Sequence, residues 1–397
     1  MKGLPSTTML RVLTQYDECM SLKPAWNAIV AAQSGEILSL DVTCTFEWAM
    51  TLWRNHLESK EQRVLVLETD GEITGILPLH HFRKQVHGLP CRATAPLTEL
   101  YSGRSGFLLR DPRGEQFDTL LGSLCDSEKN WDVFQFTLVD GSAQHREFLA
   151  WQARSNLVCE EIAKQTSPYI VLQENWDQHF AGLPKKFRST IRNGEKRMRE
   201  HGGLEYKEFR ETAHIESFAA AMLEIERDSW KESAGTSLTA NRLQEAFHTD
   251  LLKSALDAGW LSGHLLLLDG EPVAYIYGLL HNGIFSDLKE SYKSRYREMS
   301  PGHVLKSFAF QSLYSRQARL YDFMGLCEGY KMKWTDKTYS RTTYLLYNRT
   351  ARAWAARRVG VVGARFSASR VRRNSNGANS YAGDSKAGNS NAAEGES

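Results

Sequence analysis

The sequence predicts an α/β fold of two similar units, each a mostly antiparallel mixed sheet flanked by helices. Three observations lead to this prediction. Short apolar strands joined by Asp-Gly turns alternate with segments of helical periodicity. Residues 64–79 resemble residues 265–279, because both read as an apolar strand, Asp-Gly-Glu and a second strand. The length of 397 residues also exceeds what one ordinary core requires.

The first half of the chain alternates helices and strands. Residues 46–57 place apolar side chains at helical spacing, which predicts a helix. Residues 63–68 predict a strand, Asp70-Gly71 a hairpin turn, and residues 73–82 the returning strand. The next predicted elements are a strand at 133–138, a helix at 142–154 and a strand at 158–162.

The second half begins near Ser167-Pro168, where a new strand region starts. Pro184 suits an early helical position and Gly202-Gly203 a helix end, so a helix is predicted between them, with Phe187, Ile191 and Met198 on one face. The further predicted elements are helices at 214–230 and 239–259, strands at 261–269, 274–280 and 285–292, and a helix from 300. We predict domains at residues 1–166 and 167–350, and a tail at 351–397.

Charge and composition exclude several classes of protein. Residues before 351 hold 41 basic and 44 acidic side chains, which argues against a general nucleic-acid binder. No apolar run is long enough for a transmembrane helix, and the N-terminus lacks the apolar stretch of a signal peptide. The six cysteines are scattered, which favours reduced thiols, and neither they nor His80-His81 predict a metal site. We therefore expect a cytoplasmic protein without a metal.

The tail has a different composition from the rest of the chain. Residues 351–397 hold eight Lys and Arg against three Asp and Glu, and residues 351–373 predict a short basic helix. From Asn374 the chain is rich in Asn, Ser, Gly and Ala, which predicts disorder. A basic tail of this kind is expected to be able to contact an anionic membrane surface.

Six segments occur in an order that resembles a known superfamily. They are residues 183–192, 229–237, 270–274, 300–302, 322–325 and 330–334. The set resembles GNAT acyltransferases, which use acyl-CoA, and within them the CelD-like branch of cellulose-biosynthesis type that is related to FemAB-type aminoacyl transferases. The likeness spans residues 10 to 348. It implies tandem GNAT-like domains, with a degenerate first copy and the working site in the second.

The start of the helix at residue 300 is the predicted donor site. The resemblance aligns Arg297, Ser300 and Gly302 with a pyrophosphate loop of the pattern Arg/Gln-x-x-Gly-x-Gly/Ala, in which Ser300 replaces a glycine. Free backbone N–H groups and the helix dipole would meet the diphosphate, with His303 and Val304 in the same first turn. The alternative is structural, with Ser300 as a helix N-cap ahead of Pro301.

Lys331 and Asp322 are the predicted catalytic residues. The resemblance assigns Lys331, within Tyr330-Lys-Met-Lys-Trp, to the donor or to the oxyanion of the tetrahedral intermediate. Asp322 is expected to accept a proton from the acceptor or to orient Lys331. The alternatives are a solvated lysine and an aspartate that caps the following turn.

Acceptor-binding residues are predicted on three segments. Basic side chains crowd the helix after Pro184, which indicates either an anionic acceptor or a solvated face. Trp230 is expected either to wall the acceptor pocket or to pack in the core. The predicted substrate-binding residues are Arg188, Arg192, Trp230, Lys231, Lys289, Tyr292 and Tyr330.

The predicted activity is transfer of an acyl group from acyl-CoA to an amine by direct attack, with no tightly bound cofactor. The acceptor would be a small molecule or a precursor of the cell envelope or of a polysaccharide. No covalent intermediate is expected, because Cys327 has no evident histidine partner. Two alternatives stay open: a FemAB-like transferase that uses aminoacyl-tRNA, and a non-catalytic scaffold of an exopolysaccharide system.

Overall fold

Thirteen strands of the described residues form one continuous mixed sheet in the computed structural model. The structure describes residues 8–35, 37, 39–55, 62–112, 114–127, 130–172, 175–211 and 214–360. The strands are β1 (Thr8–Leu13), β2 (Gln62–Thr69), β3 (Glu72–Val86), β4 (Leu89–Pro96), β5 (Leu108–Leu109), β6 (Val133–Val139), β7 (Val158–Val171), β8 (Leu204–Phe209), β9 (Leu261–Leu268), β10 (Glu271–His281), β11 (Ile284–Tyr292), β12 (Leu320–Asp322) and β13 (Thr338–Tyr347).

Helices connect these strands. They are α1 (Tyr16–Cys19), α2 (Lys23–Ala32), α3 (Phe46–Asn55), α4 (Glu115–Ser127), α5 (Ala143–Arg154), α6 (Trp176–Gly182), α7 (Lys185–His201), α8 (Ile215–Arg227), α9 (Trp230–Ser233), α10 (Arg242–Asp257) and α11 (Pro301–Ser315). Residues 351–360 are also helical. The rest of the predicted tail, residues 361–397, lies outside the described residues. Within the described part of the chain, no helix is both long and apolar enough to cross a membrane.

The strand order places the two halves of the chain side by side. It runs β1-β2-β3-β4-β6-β13-β7-β12-β11-β10-β9-β8, with β5 beside β3. The mixed α/β fold predicted from the sequence is thus confirmed. The hairpin turns are confirmed too, because Asp70-Gly71 and Asp269-Gly270 all have positive φ angles, of 51°, 82°, 49° and 79°.

Two strands differ from the prediction. β7 extends to Val171 instead of ending at residue 162, because β13 pairs with it from Val158 to Pro168. β13 itself was not predicted, since its polar residues do not form an apolar run, and it lies between β6 and β7. The predicted domain boundary therefore falls inside a continuous strand, and a strand from the second half completes the sheet of the first.

Helices cover both faces of the second half of the sheet. On one face α7 and α11 pack against β10, and the predicted apolar face of α7 contributes Phe187, Ile191 and Met198. On the other face α8 and α10 pack around Tyr275 and Tyr277. Successive β10 side chains point to opposite faces, so one strand supplies both cores. Burying each of these large side chains contributes roughly 1.5–3 kcal/mol.

Candidate active site

A cavity opens where two neighbouring strands separate. The parallel strands β11 and β12 pair only from Ile284 to Ser286, after which β12 ends at Asp322 and β11 continues to Tyr292. β11 also contains a bulge at Leu288, because Tyr277 pairs with Lys289 and Gly278 with Asp287. The cavity has a volume of about 2420 Å³. Ligand pockets are usually roughly 300–1,000 Å³, so the space suits two substrates.

The cavity is cationic. Its lining includes nine lysines and arginines and four acidic residues: Arg83, Arg92, Lys231, Lys289, Arg297, Lys306, Lys331, Lys333 and Arg341, with Glu99, Asp287, Glu290 and Glu328. Both halves of the chain contribute to this lining. An excess of positive charge in a concave site attracts anionic ligands.

The first turn of α11 faces the cavity through Ser300, Gly302 and His303. Ser300 is in the left-handed region (φ 52°, ψ 47°) and its hydroxyl makes no capping hydrogen bond, so it occupies the N-cap position without the predicted side-chain cap. The amides of His303 and Val304 donate to the Ser300 carbonyl at 3.0 and 3.1 Å. Pro301 has no N–H, which leaves the Gly302 amide for a ligand.

Gly302 keeps the approach to this amide open. A Cβ at this position would lie 3.5 Å from the Tyr292 ring, an ordinary contact, so packing does not require glycine here. The absence of a side chain instead leaves space on the cavity side of the helix start. Arg297, which also lines the cavity, is exposed and makes no ion pair with the described residues.

Lys331 is buried at the edge of the cavity. It is 7% exposed, and its Nζ lies 2.9 Å from Glu328 Oε2 and 5.5 Å from the centre of the Tyr330 ring. A Cβ on Gly325 would approach Lys331 Nζ to 2.5 Å, so a side chain at this position would displace the lysine ammonium. This close approach brings together the two motifs that contain Asp322 and Lys331.

Asp322 does not line the cavity. It is 1% exposed, its Oδ2 lies 2.7 Å from Arg104 Nη2, and its Oδ1 accepts the Met324 amide at 2.8 Å. The Tyr339 hydroxyl donates to both oxygens at 3.1 Å. These contacts cap the turn that leads into the cavity-lining residues Met324 and Gly325.

A buried ionic cluster, which the sequence analysis missed, forms the floor of the cavity. Lys306 Nζ lies 2.9 Å from Asp287 Oδ2 and 2.7 Å from Glu290 Oε2, and it donates to the Tyr321 hydroxyl at 2.9 Å. Burial acts to lower the pKa of Lys306, but the two carboxylates outweigh it and raise that pKa. The available signal was a single lysine within the apolar run of α11.

Lys289 is a second lysine in the cavity with an altered acidity. Burial, with a further effect of Lys231, lowers its pKa to about 8. Among the described residues no carboxylate forms an ion pair with Lys289. The Lys231 ammonium donates to the Glu290 carbonyl. Trp230 lines the same cavity and is 50% exposed, so it is not a core residue.

The structure brings together ten of the predicted site residues and separates four. Those that line the cavity are Arg297, Ser300, Gly302, His303, Trp230, Lys231, Lys289, Tyr292, Tyr330 and Lys331. Val304, predicted at the donor site, instead packs in the core and uses its amide in the helix. Arg188 and Arg192 lie on α7 outside the cavity lining, and Arg192 stacks 5.1 Å from the Phe180 ring centre. The fourth is Asp322, at the buried turn described above.

Comparisons with known proteins agree with this geometry. Residues 185–332 match a family model described as an acetyltransferase (GNAT) domain. No curated protein matches the sequence. Within the described residues, no group of three or more His, Cys, Asp or Glu is arranged to hold a metal ion.

Several solved structures share the fold at low identity. The structure of FemX covers 86% of this chain and 97% of its own, with 13% identity and a TM-score of 0.55. A Bacteroides thetaiotaomicron protein of unknown function covers 85% and 100%, with 15% identity and a TM-score of 0.52. The C-terminal domain of an Agrobacterium fabrum protein named as a lysylphosphatidylglycerol synthetase covers 88% and 97%, with 11% identity and a TM-score of 0.50.

The family model and the helix start at Ser300 point to the same part of the chain, and the fold is shared with FemX over most of both lengths. Residues 185–332 thus match an acetyltransferase (GNAT) domain, and the chain shares its overall fold with FemX.

Proposed function

We propose that the protein transfers an acyl group from acyl-CoA to an amine, which attacks the thioester directly. The observation that supports this proposal is the convergence of three features on one cavity: the free Gly302 amide, the unpaired edge of β11 and the buried Lys331. We assign the acyltransferase site to residues 167–350 and treat residues 1–166 as a degenerate copy that completes the cavity wall.

The donor would lie along the separated strands. Its diphosphate binds at the start of α11, where the helix dipole, the Gly302 amide and Arg297 favour an anion. The extended arm of the donor pairs with the free edge of β11 beyond Ser286, as added strands do. This arrangement directs the thioester towards Lys331. The donor is a co-substrate, and the proposal includes no tightly bound cofactor.

The transfer forms one bond and breaks another. The acceptor nitrogen attacks the carbonyl carbon, and Lys331 stabilises the oxyanion that develops. The carbon–sulfur bond then breaks, the thiolate of CoA leaves, and the proton lost by nitrogen passes through Lys289 to that thiolate. Lys289 suits this role because burial lowers its pKa to about 8 and it lines the cavity. Asp322 is a positioning residue that holds the backbone of Met324, the residue before Gly325.

No covalent enzyme intermediate is part of this proposal. Cys327 is exposed, and its thiol donates to the Thr166 carbonyl at 3.4 Å. It is not among the residues that line the cavity. The acceptor would be a small molecule or a precursor of the cell envelope or of a polysaccharide, as in the CelD-like branch, and the reaction would take place in the cytoplasm.

A donor-binding experiment tests the proposal. Acetyl-CoA is expected to raise the melting temperature of the wild-type chain, and Gly302→Asp should abolish this rise because a carboxylate would repel the diphosphate. Gly302→Ala is the matched control, since its Cβ meets only the Tyr292 ring at an ordinary distance. An unchanged response to acetyl-CoA in Gly302→Asp would contradict the proposal.

A second candidate function is a FemAB-like transfer from aminoacyl-tRNA. The fold shared with FemX and the cationic cavity favour it. Phosphate contacts weaken steeply as salt rises, so this candidate predicts tRNA binding that is lost at high salt. Binding of acetyl-CoA without salt-sensitive binding of tRNA would decide for acyl-CoA. Full complementation of a deletion by Lys331→Ala would instead favour a non-catalytic scaffold.

A further inference from the structure

The first half of the chain contributes a polar wall to the cavity that the proposed chemistry does not use. Glu99, Gln135 and Arg341 all line the cavity. Each has a buried polar atom without a hydrogen-bond partner among the described residues: Glu99 Oε2, Gln135 Oε1 and Arg341 Nε. A buried polar group without a partner costs about 1–3 kcal/mol. Three such atoms on one wall indicate a ligand that completes them.

The strand register places these side chains on one face of the sheet. In the β6–β13 pair Thr343 lies opposite Thr137, and Arg341 is two residues from Thr343 on the same face. The Thr137 hydroxyl bonds to Thr343 Oγ1 and to Glu99 Oε1, both at 2.8 Å. Glu99 and Arg341 therefore lie on the same face of the sheet, joined through Thr137 and Thr343. One ligand in the cavity can contact both side chains.

Arg341 is a buried cation without a counter-ion of its own. It is 5% exposed, and its Nη1 donates to the Ser102 carbonyl at 3.1 Å. Among the described residues no carboxylate forms an ion pair with it. The loop comes close to the guanidinium at Gly103, where φ is 61° and a Cβ would lie 3.2 Å from Nη1.

Two other buried carboxylates, those of Asp41 and Asp322, form ion pairs with a different arginine, Arg104. Asp41 Oδ2 lies 2.6 Å from Arg104 Nη1, and Asp322 Oδ2 lies 2.7 Å from Arg104 Nη2. Arg104 is not part of the cavity lining, whereas Arg341 is. Arg104 thus lies behind the wall in ion pairs with two carboxylates. Arg341 lies on the wall and has no ion pair with the described residues.

We propose that this wall is the acceptor subsite and that the acceptor carries an oxyanion, a carboxylate or a phosphate, which binds Arg341. The planar guanidinium suits such a group because it donates parallel hydrogen bonds to two oxygens. Glu99 Oε2 and Gln135 Oε1 accept hydrogen bonds from hydroxyl or ammonium groups of the same molecule. The acceptor class is an anionic amine with further hydrogen-bond donors. Only its role as acceptor rests on the proposed function.

Anion binding to the full chain without acyl donor tests this subsite. Inorganic phosphate and succinate are titrated separately by calorimetry at constant ionic strength. The anion that binds with the higher affinity shows whether the subsite takes a phosphate or a carboxylate. Arg341→Gln is expected to weaken that binding by about tenfold or more, because the anion loses its hydrogen bonds to the charged guanidinium. Arg341→Lys keeps the positive charge but not the two parallel donors of the guanidinium, and it should give an intermediate affinity. It replaces Arg341→Gln in the test if the glutamine variant does not fold.

Two controls separate this site from general electrostatic attraction and from the donor site. Arg83 is an exposed arginine of the same cavity, and Arg83→Gln should change the affinity by less than about threefold. Gly302→Asp should leave binding at Arg341 intact. Equal affinity in wild type and Arg341→Gln, or an equal loss in Arg83→Gln, would overturn the proposal. If acetyl-CoA fails to bind while Arg341-dependent anion binding persists, the proposed function fails and the subsite stands.

Discussion

Arg104 and Asp322 form a buried ion pair that joins the two halves of the chain. Arg104 Nη2, in the loop after β4, lies 2.7 Å from Asp322 Oδ2 at the end of β12, and both side chains are at most 3% exposed. Arg104 also binds Asp41 at 2.6 Å. Burial opposes the charge of Arg104, but the two carboxylates outweigh it and raise its pKa well above the usual value.

Removal of Arg104 is expected to destabilise the protein strongly. Arg104→Met would leave Asp41 and Asp322 buried without their partner, which costs about 3–5 kcal/mol of unfolding free energy. Asp322→Asn should lower the free energy of unfolding by less, because Arg104 keeps its ion pair with Asp41. Urea unfolding measures both changes. The control is Arg110→Met, which breaks an exposed pair with Glu72 and should cost about 1 kcal/mol or less. A similar cost for Arg104→Met and Arg110→Met would contradict the role given to the buried pair.

Ser300→Gly is expected to stabilise the chain. Ser300 has a φ of 52°, and a side chain in the left-handed region costs about 1–2 kcal/mol, which glycine avoids. Glycine loses more entropy on folding, so the net gain should be about 0.5–1 kcal/mol. Ser300→Val should destabilise, because a β-branched residue suits this region least. Urea unfolding measures stability and acetyl-CoA titration measures donor affinity, which should stay within about twofold in the glycine variant. A loss of stability in Ser300→Gly would show that the serine hydroxyl has a role that the structure does not give it.

Lys289 should set the pH dependence of the reaction. Burial lowers its pKa to about 8, so the amine loses its proton as pH rises through this value. Amide formation should therefore increase with pH and level off above about 8. Lys289→Arg stays charged and should remove this inflection, whereas Lys333→Arg, on an exposed lysine of the cavity, should keep it. An identical inflection in Lys289→Arg would assign the proton transfer to another group.

The same shift predicts a change in stability with a definite sign. Because the folded pKa lies below the unfolded value of about 10.4, the unfolded chain binds more protons between these values. The wild-type free energy of unfolding should then rise between about pH 8 and 10.4 relative to Lys289→Met. Below about pH 8 the methionine variant should be the more stable of the two, since it avoids burying the charge. A parallel pH dependence of the two proteins would contradict the shift.

Most helices and hairpins could be predicted from local sequence, and the site only in part. Periodicity located α7, and Asp-Gly turns located the hairpins, because both signals are local. The donor-binding role of the start of α11 and the role of Lys331 could be inferred only from the resemblance. β13 could not be predicted, because its partners β6 and β7 are distant in sequence. Arg341 was missed for the same reason: its burial depends on that pairing.

Lys306 should be essential to the fold around the cavity floor. Lys306→Met would leave Asp287 and Glu290 buried without a cation, and we expect a loss of about 3–5 kcal/mol in the free energy of unfolding at pH 7. The triple variant with Asp287→Asn and Glu290→Gln should recover part of this loss, because the carboxylates no longer need a partner. Neighbouring substitutions of this kind are not additive, and the difference between the triple variant and the sum of its parts measures the coupling.

The contribution of Lys306 to stability also depends on pH. Its folded pKa is raised, so its contribution is present below about pH 10.4 and is lost as pH rises through the folded value. Urea unfolding at about pH 7 and at about pH 11 measures both effects. A triple variant no more stable than Lys306→Met would show that the lysine stabilises the floor by packing and not by charge.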